Sequence, residues 1–363
     1  MKRLGLSIYP EKATKEEIFG YLEKGKQYGF TRIFSCLLSV TKSKEDIKKD
    51  FQEIHGYARE LGYEIIVDVA PRIFEALEIS YKDLQFFHDI KAHGIRLDMG
   101  FTGLEESLMT FNPYGLKIEV NMSNNTSTLD TIMDYQPNVH NLIGCHNFYP
   151  HVYSGLSLEH FQACTKRYKK YGLRTAAFVT SQVEGSYGPW PVTDGLPTLE
   201  LHRYLPVDVQ AKHLIALGGI DDMILSNCFA SEEEMQRLSK LPLDLVSFDV
   251  TLAEGLTEVM RNIVLKELHF NRGDVSEYYL RSTQSRVKYK GEHFPLVHAK
   301  EVLEKGDVII ESSLYGHYAG ELQIVLKPMK NSGKSSVVGK IREEEHFILD
   351  TLKPWQKFIF MEA

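Results

Sequence analysis

Short apolar runs alternate with longer stretches of helical periodicity along the first two thirds of the chain. Leu4–Tyr9, Arg32–Leu37, Glu64–Ala70, Ile95–Met99, Leu116–Met122, Leu142–Tyr149, Thr175–Thr180 and Met223–Ser226 read as strands. They are apolar nearly throughout, as in strands covered on both faces. Between them, Lys15–Tyr28 places Ile18, Leu22 and Gly25 on one helical face. Lys44–Leu61 does the same with Ile47, Phe51, Ile54 and Ala58, and Gly62 stops it. Ser157–Tyr171 and Glu232–Leu241 follow suit. Eight strand–helix units in ~240 residues predict an α/β chain whose first part is a (β/α)8 TIM-type barrel. A doubly wound sheet is the alternative, but no GxGxxG or Walker loop follows the first strand.

The pattern changes after about Leu241. Leu245–Val250, Val287–Tyr289, Val308–Ser312, Gln323–Leu326 and Phe358–Met361 read as strands, and turn signals such as Lys290-Gly291 and Lys305-Gly306-Asp307 recur. The expected boundaries are a barrel over 1–242 and a mostly β domain over 243–363. Asn331–Ser336 reads as a polar surface loop. It lacks the first glycine of a phosphate-cradling motif.

Three successive barrel strands carry an acid near their ends: Asp68, Asp98 and Glu119. Burying an ionised carboxylate without a partner is expensive, so a threefold repeat points to strand ends converging on a site. Active sites of such barrels lie at the C-terminal ends of the strands. The candidate ring is Tyr9, Asp68, Asp98, Glu119, Asn121, His146, Asn147 and Asn227. Carboxylates and amides in this number suit a polyhydroxylated, amide-bearing ligand such as an amino sugar. Two carboxylates across a pocket can divide the work: the more desolvated one keeps its proton, and the other stays charged. The apolar flanks and longer reach of Glu119 make it the expected acid, with Asp98 or Asp68 as its charged partner. The competing reading is structural, since strand acids also pair with core arginines, and Arg32, Arg96 and Arg174 are available.

The long segment Ser181–Pro206 holds Glu184, Tyr187, Trp190 and Arg203. Loops of this length in compact domains are usually functional. Trp190 can stack on a sugar face, and Arg203 can pair with a phosphate or carboxylate. In the second domain Arg281 and Arg286 bracket three hydroxyl residues and form a candidate anion site; a solvated strand edge is the alternative.

Bulk properties narrow the partners. A net charge of -7 argues against nucleic acid or anionic membrane. The four cysteines, Cys36, Cys145, Cys164 and Cys228, are far apart and read as buried free thiols rather than a zinc or disulfide framework. The first apolar run is broken by Pro10, too soon for a secretory signal, so a cytoplasmic protein is expected.

The segments Leu4–Pro10, Lys117–Asn124 with Glu119 and Asn121, His146-Asn147-Phe148-Tyr149-Pro150, and Leu280–Arg286 resemble a bacterial family. That family, long labelled "outer surface protein", was later linked to 6-phospho-N-acetylmuramidase activity. The resemblance covers essentially the whole chain. It implies a glycosidase-type (β/α)8 barrel followed by a cyclophilin-like β-barrel. It also implies hydrolysis of the β-1,4 bond between N-acetylmuramic acid 6-phosphate and N-acetylglucosamine during wall recycling. The expectation is an enzyme without cofactor or metal, acting on a phosphorylated amino-sugar disaccharide; a homo-oligomer remains open. Glu119 would protonate the leaving oxygen and Asp98 or Asp68 would face the anomeric carbon. Asn121 and Asn147 would hold the sugar, with Tyr9, His146, Tyr149, Glu184, Trp190 and Asn227 around it. Arg203, Arg281 or Arg286 would hold the phosphate or lactyl group. The rivals are a metal-dependent sugar-phosphate isomerase using Asp68, Asp98, Glu119 and His146, and a non-catalytic sugar-binding protein.

Overall fold

A computed structural model describes residues 1–37, 43–69, 71–192 and 194–363. They form two compact units, Met1–Ala211 with Gly219–Lys240, and Lys212–Gly218 with Leu241–Ala363. In the first, eight parallel strands close into a barrel: β1 (Arg3–Ile8), β2 (Arg32–Leu37), β3 (Glu64–Val69), β4 (Gly94–Leu97), β5 (Lys117–Asn121), β6 (Leu142–Cys145), β7 (Arg174–Val179) and β8 (Asp222–Leu225). β1 pairs with both β2 and β8, which leaves no edge.

Local chemistry sets the helices between strands. Thr14 caps the helix Lys15–Gln27 in a reciprocal box with Glu17, and Ile18, Leu22 and Gly25 are buried. Ser43 caps Lys44–Glu60, which buries Ile47, Phe51, Ile54 and Ala58. Gly62 follows with φ +82°, a conformation that favours glycine at a helix end. Gly94 serves a different need. A Cβ there would meet the Lys117 carbonyl oxygen at 2.6 Å, so its absence lets β4 and β5 pair closely.

The N-terminal half of the barrel interior is ionic rather than apolar. Arg3 reaches Glu64 at 2.6 Å and Asp222 at 2.9 Å. Arg32, fully buried, bridges Glu119 and Asp222. Arg174 adds a further contact to Asp222. Burial alone would raise the Asp222 pKa, but Arg32, Arg3 and Arg174 together hold it well below the usual carboxylate range.

The second unit is a mixed, nearly closed barrel-like sheet. Its strands are β9 (Val246–Leu252), β10 (His269–Phe270), β11 (Tyr279–Ser282), β12 (Val302–Leu303), β13 (Asp307–Glu311), β14 (Leu322–Val325), β15 (Met329–Lys330), β16 (Ser335–Ile341) and β17 (Lys357–Glu362). Seven run in the order β10-β17-β9-β16-β13-β14-β11, with β12 and β15 pairing separately. Leu303, Ile309, Val325 and Val337 form one of its apolar clusters.

Two expectations for this unit are corrected. Val287–Tyr289 is not a strand. Gln284–Lys288 is a short helix, with the Ser285 hydroxyl donating to the Gly320 carbonyl at 2.6 Å and Val287 exposed. Asn331–Ser336 is a surface loop only in part: Ser332, Gly333 and Lys334 are exposed, whereas Asn331, Ser335 and Ser336 are buried. The buried Asn331 amide donates to the Ser335 carbonyl and its oxygen accepts from Gly333 N, and β16 starts at Ser335. All four cysteines are buried and free. Among the described residues, no helix is long and apolar enough to cross a membrane.

Candidate active site

Strand register places the first elements of the site. Asp68 on β3 lies opposite Arg96 on β4, and Arg96 lies opposite Glu119 on β5. Asp98 follows two residues after Arg96, on the same face and just past the strand end. Arg96 is the hub. Its Nη1 contacts Asp68 Oδ1 at 2.5 Å and Asp98 Oδ1 at 3.4 Å, and its Nη2 donates to Asn147. The Asp68 side chain is 17% exposed and that of Asp98 48%. Burial pushes the Asp68 pKa up against the pull of Arg96, and the charge of Asp98 pushes the same way. Cys36 adds a 3.5 Å contact from Sγ to Asp68 Oδ2.

These groups open onto a cavity of about 210 Å³. Its walls are Cys36, Asp68, Arg96, Asp98, Asn147, Phe148, Tyr149, Pro189 and Trp190. Trp190 is 44% exposed, as a stacking platform requires. Asn121 stands beside Asp98 and donates to its main-chain carbonyl at 3.2 Å, while its own oxygen accepts from Ser123 N.

Other expected site residues lie elsewhere. Glu119 does not line the cavity. It is fully buried and its Oε2 is held by Arg32; its Oε1 has no hydrogen-bond partner among the described residues. His146 is also fully buried. Its Nδ1 meets the Ser123 hydroxyl at 3.2 Å, its Nε2 meets the Thr165 hydroxyl at 3.0 Å, and its ring stacks on Phe161. Burial lowers its pKa to about 3, so it stays neutral. Asp68, Asp98, Glu119 and His146 are not among the described residues that cluster at metal-ligand distances, and the charge between the two aspartates is the Arg96 guanidinium. Tyr9 is buried and donates to the Ser226 carbonyl at 2.5 Å.

Arg203 does not offer a free guanidinium. Nε and Nη2 grip Glu200 at 2.7 and 2.6 Å. Nη1 donates to the carbonyls of Tyr149, Asp194 and Gly195, and Nη2 to that of His151. With all five N–H groups engaged, it braces the long loop. In the second unit, Arg281 and Arg286 flank the buried Glu321. Arg286 contacts it at 3.2 Å and Arg281 at 4.0 Å, and Arg281 also bonds Asp274. An internal carboxylate thus occupies the expected anion position.

Glu184 and Asn227 line a second cavity of about 400 Å³, which also touches Ser186, Asp194, Arg203 and Tyr204. The segment from Ser181 to Gly195 contributes to the walls of both cavities. Sequence reasoning named Arg96 as a pairing partner for the strand acids but not as part of the site, and it missed Cys36. The signal for Arg96 was its spacing of two from Asp98, which fixes a shared face. Cys36 carried none beyond its place at the end of β2.

A family model described as "6-phospho-N-acetylmuramidase, N-terminal" matches residues 4–240, and one described as "6-phospho-N-acetylmuramidase, C-terminal" matches residues 246–361. No curated protein matches the chain. Among solved structures, an uncharacterized B. cereus protein is 47% identical, with a TM-score of 0.91 and coverage of 100% of both chains. A conserved Enterococcus faecalis protein of unknown function is 22% identical, covering 99% of this chain and 96% of its own at a TM-score of 0.70; it shares the fold.

Proposed function

Because the chain belongs to the 6-phospho-N-acetylmuramidase family of glycosidases, we propose that it hydrolyses the β-1,4 bond between N-acetylmuramic acid 6-phosphate and N-acetylglucosamine, with Asp68 as acid and Asp98 as nucleophile. The observation that carries this reading is a pair of carboxylates on one guanidinium at the barrel mouth. Their environments differ: Asp68 is desolvated and shifted towards its protonated form, and Asp98 is half-exposed. Such a division supports Asp68 as acid and Asp98 as nucleophile.

The contacts of 2.5 and 3.4 Å to one shared nitrogen cap the separation of these two oxygens at about 5.9 Å. Retaining glycosidases hold their carboxyl groups roughly 5–5.5 Å apart and inverting ones roughly 6.5–9.5 Å. The spacing favours retention. In the first step the Asp68 proton passes to the glycosidic oxygen. The bond from C1 to that oxygen breaks, and C1 bonds to an Asp98 oxygen. In the second step Asp68 takes a proton from water, whose oxygen displaces Asp98 from C1. Arg96 fixes both carboxylates, Asn147 orients Arg96, and Trp190 and Tyr149 face the sugar ring. Four buried free cysteines fit a reducing compartment, and we place the enzyme in the cytoplasm, acting on recycled wall fragments.

Turnover of the phosphorylated disaccharide tests the assignment. Asp98→Asn and Asp68→Asn each lower kcat by about 10²–10⁴-fold. Near-wild-type turnover by either variant removes that residue from the chemistry.

A further inference from the structure

The cavity at Asp68 and Asp98, about 210 Å³, falls below the roughly 300–1,000 Å³ of sites that hold drug-sized ligands. A disaccharide needs room beyond it. The second cavity, about 400 Å³, shares the Ser181–Gly195 segment as a wall. Its chemistry is of one kind. Glu184 and Asp194 are exposed, and neither side chain has an ion pair among the described residues. The one cation in the lining, Arg203, has every donor engaged by the protein.

Asn227 is buried there, and its oxygen is saturated by the Thr180 and Ser226 hydroxyls and by Ser181 N. Its amide nitrogen has two N–H groups and only a 3.4 Å contact to the Ser186 hydroxyl. Tyr204, 72% exposed, adds an aromatic face. Carboxylate acceptors, an amide donor and a ring suit hydroxyl groups and a pyranose face. Two carboxylates without a free cation repel a phosphate or carboxylate.

We propose that this second cavity binds the uncharged N-acetylhexosamine half of the substrate, the leaving group, and rejects the phosphorylated half. This rests on the reading under Proposed function for the identity of the two halves. Asn227 donates to a sugar oxygen, Glu184 and Asp194 accept from hydroxyl groups, and Tyr204 covers the ring.

The test is binding and product inhibition by N-acetylglucosamine, alongside inorganic phosphate as a second probe. The proteins are the wild type, Glu184→Gln and Tyr204→Ala, both surface changes that keep the fold. The expected result is an inhibition constant for N-acetylglucosamine weakened by about tenfold in each variant, with no competition from phosphate. Unchanged inhibition in both variants, or displacement of the sugar by phosphate, overturns the proposal. The two readings fail separately. Absent hydrolysis with Glu184-dependent sugar binding sinks the muramidase reading and supports the cavity. Hydrolysis with variant-independent inhibition sinks the cavity assignment alone.

Discussion

Glu119 and Asp98 show how far burial separates two acids of similar sequence context. Both follow an apolar run, yet one is sealed under Arg32 and the other stands half in solvent. Removing one partner of a buried ion pair costs up to about 3–5 kcal/mol, and the cost here falls at the low end because Arg32 keeps Asp222 as its second partner. Glu119→Gln is therefore expected to lower the melting temperature clearly while kcat, measured below that temperature, stays within a few-fold of wild type. Asp68 makes a prediction with a definite sign. As the acid it works only when protonated, and its pKa is raised by burial. The rate kcat/KM should fall as pH rises through that raised value, giving a basic limb above the ordinary carboxylate range of about 4. A pH profile that falls only on the acid side would assign Asp68 the opposite role.

The long segment between β7 and β8 divides into a bracing part and a site-facing part. Arg203 looked like a phosphate ligand because a guanidinium in a long loop is often free to bind. The structure uses it to tie four main-chain carbonyls and Glu200, whose pKa it holds down to about 2. Arg203→Ala should cost about 1–3 kcal/mol from carbonyls left without a donor. The KM ratio between phosphorylated and unphosphorylated disaccharide should not change. A selective rise in KM for the phosphorylated form would return Arg203 to substrate binding. Trp190 and Glu184 of the same segment do face cavities. Sequence alone separates the bracing from the facing residues poorly, because the difference lies in main-chain carbonyls brought together from Tyr149, His151 and Asp194.

At the scale of the molecule, the barrel was legible because its strands are buried nearly throughout and helices such as Lys15–Gln27, Lys44–Glu60, Leu158–Lys170 and Glu232–Ser239 carry a side-chain cap and an apolar stripe. The second unit was less so. Three of its strands, β10, β12 and β15, have only two residues each, and Val287 mimicked a strand residue while lying exposed on a helical turn. β16 was hidden behind the polar Asn331–Ser336 run, in which Asn331 and Ser335 are buried and satisfied internally. The site was legible as a set of acids at the ends of β3 and β4. Arg96 was legible as a partner for the strand acids, but not as the shared cation of the site: the β3–β4 register sets it opposite Asp68, so that one guanidinium contacts both Asp68 and Asp98. That register is the basis for the central claim, a glycosidase whose two aspartates work through a covalent intermediate. The most direct measurement is the configuration of the first-formed N-acetylmuramic acid 6-phosphate, followed by proton NMR from the start of hydrolysis. The β-anomer is expected first, with the α-anomer growing later by mutarotation; an α-anomer formed first would rule out the covalent intermediate.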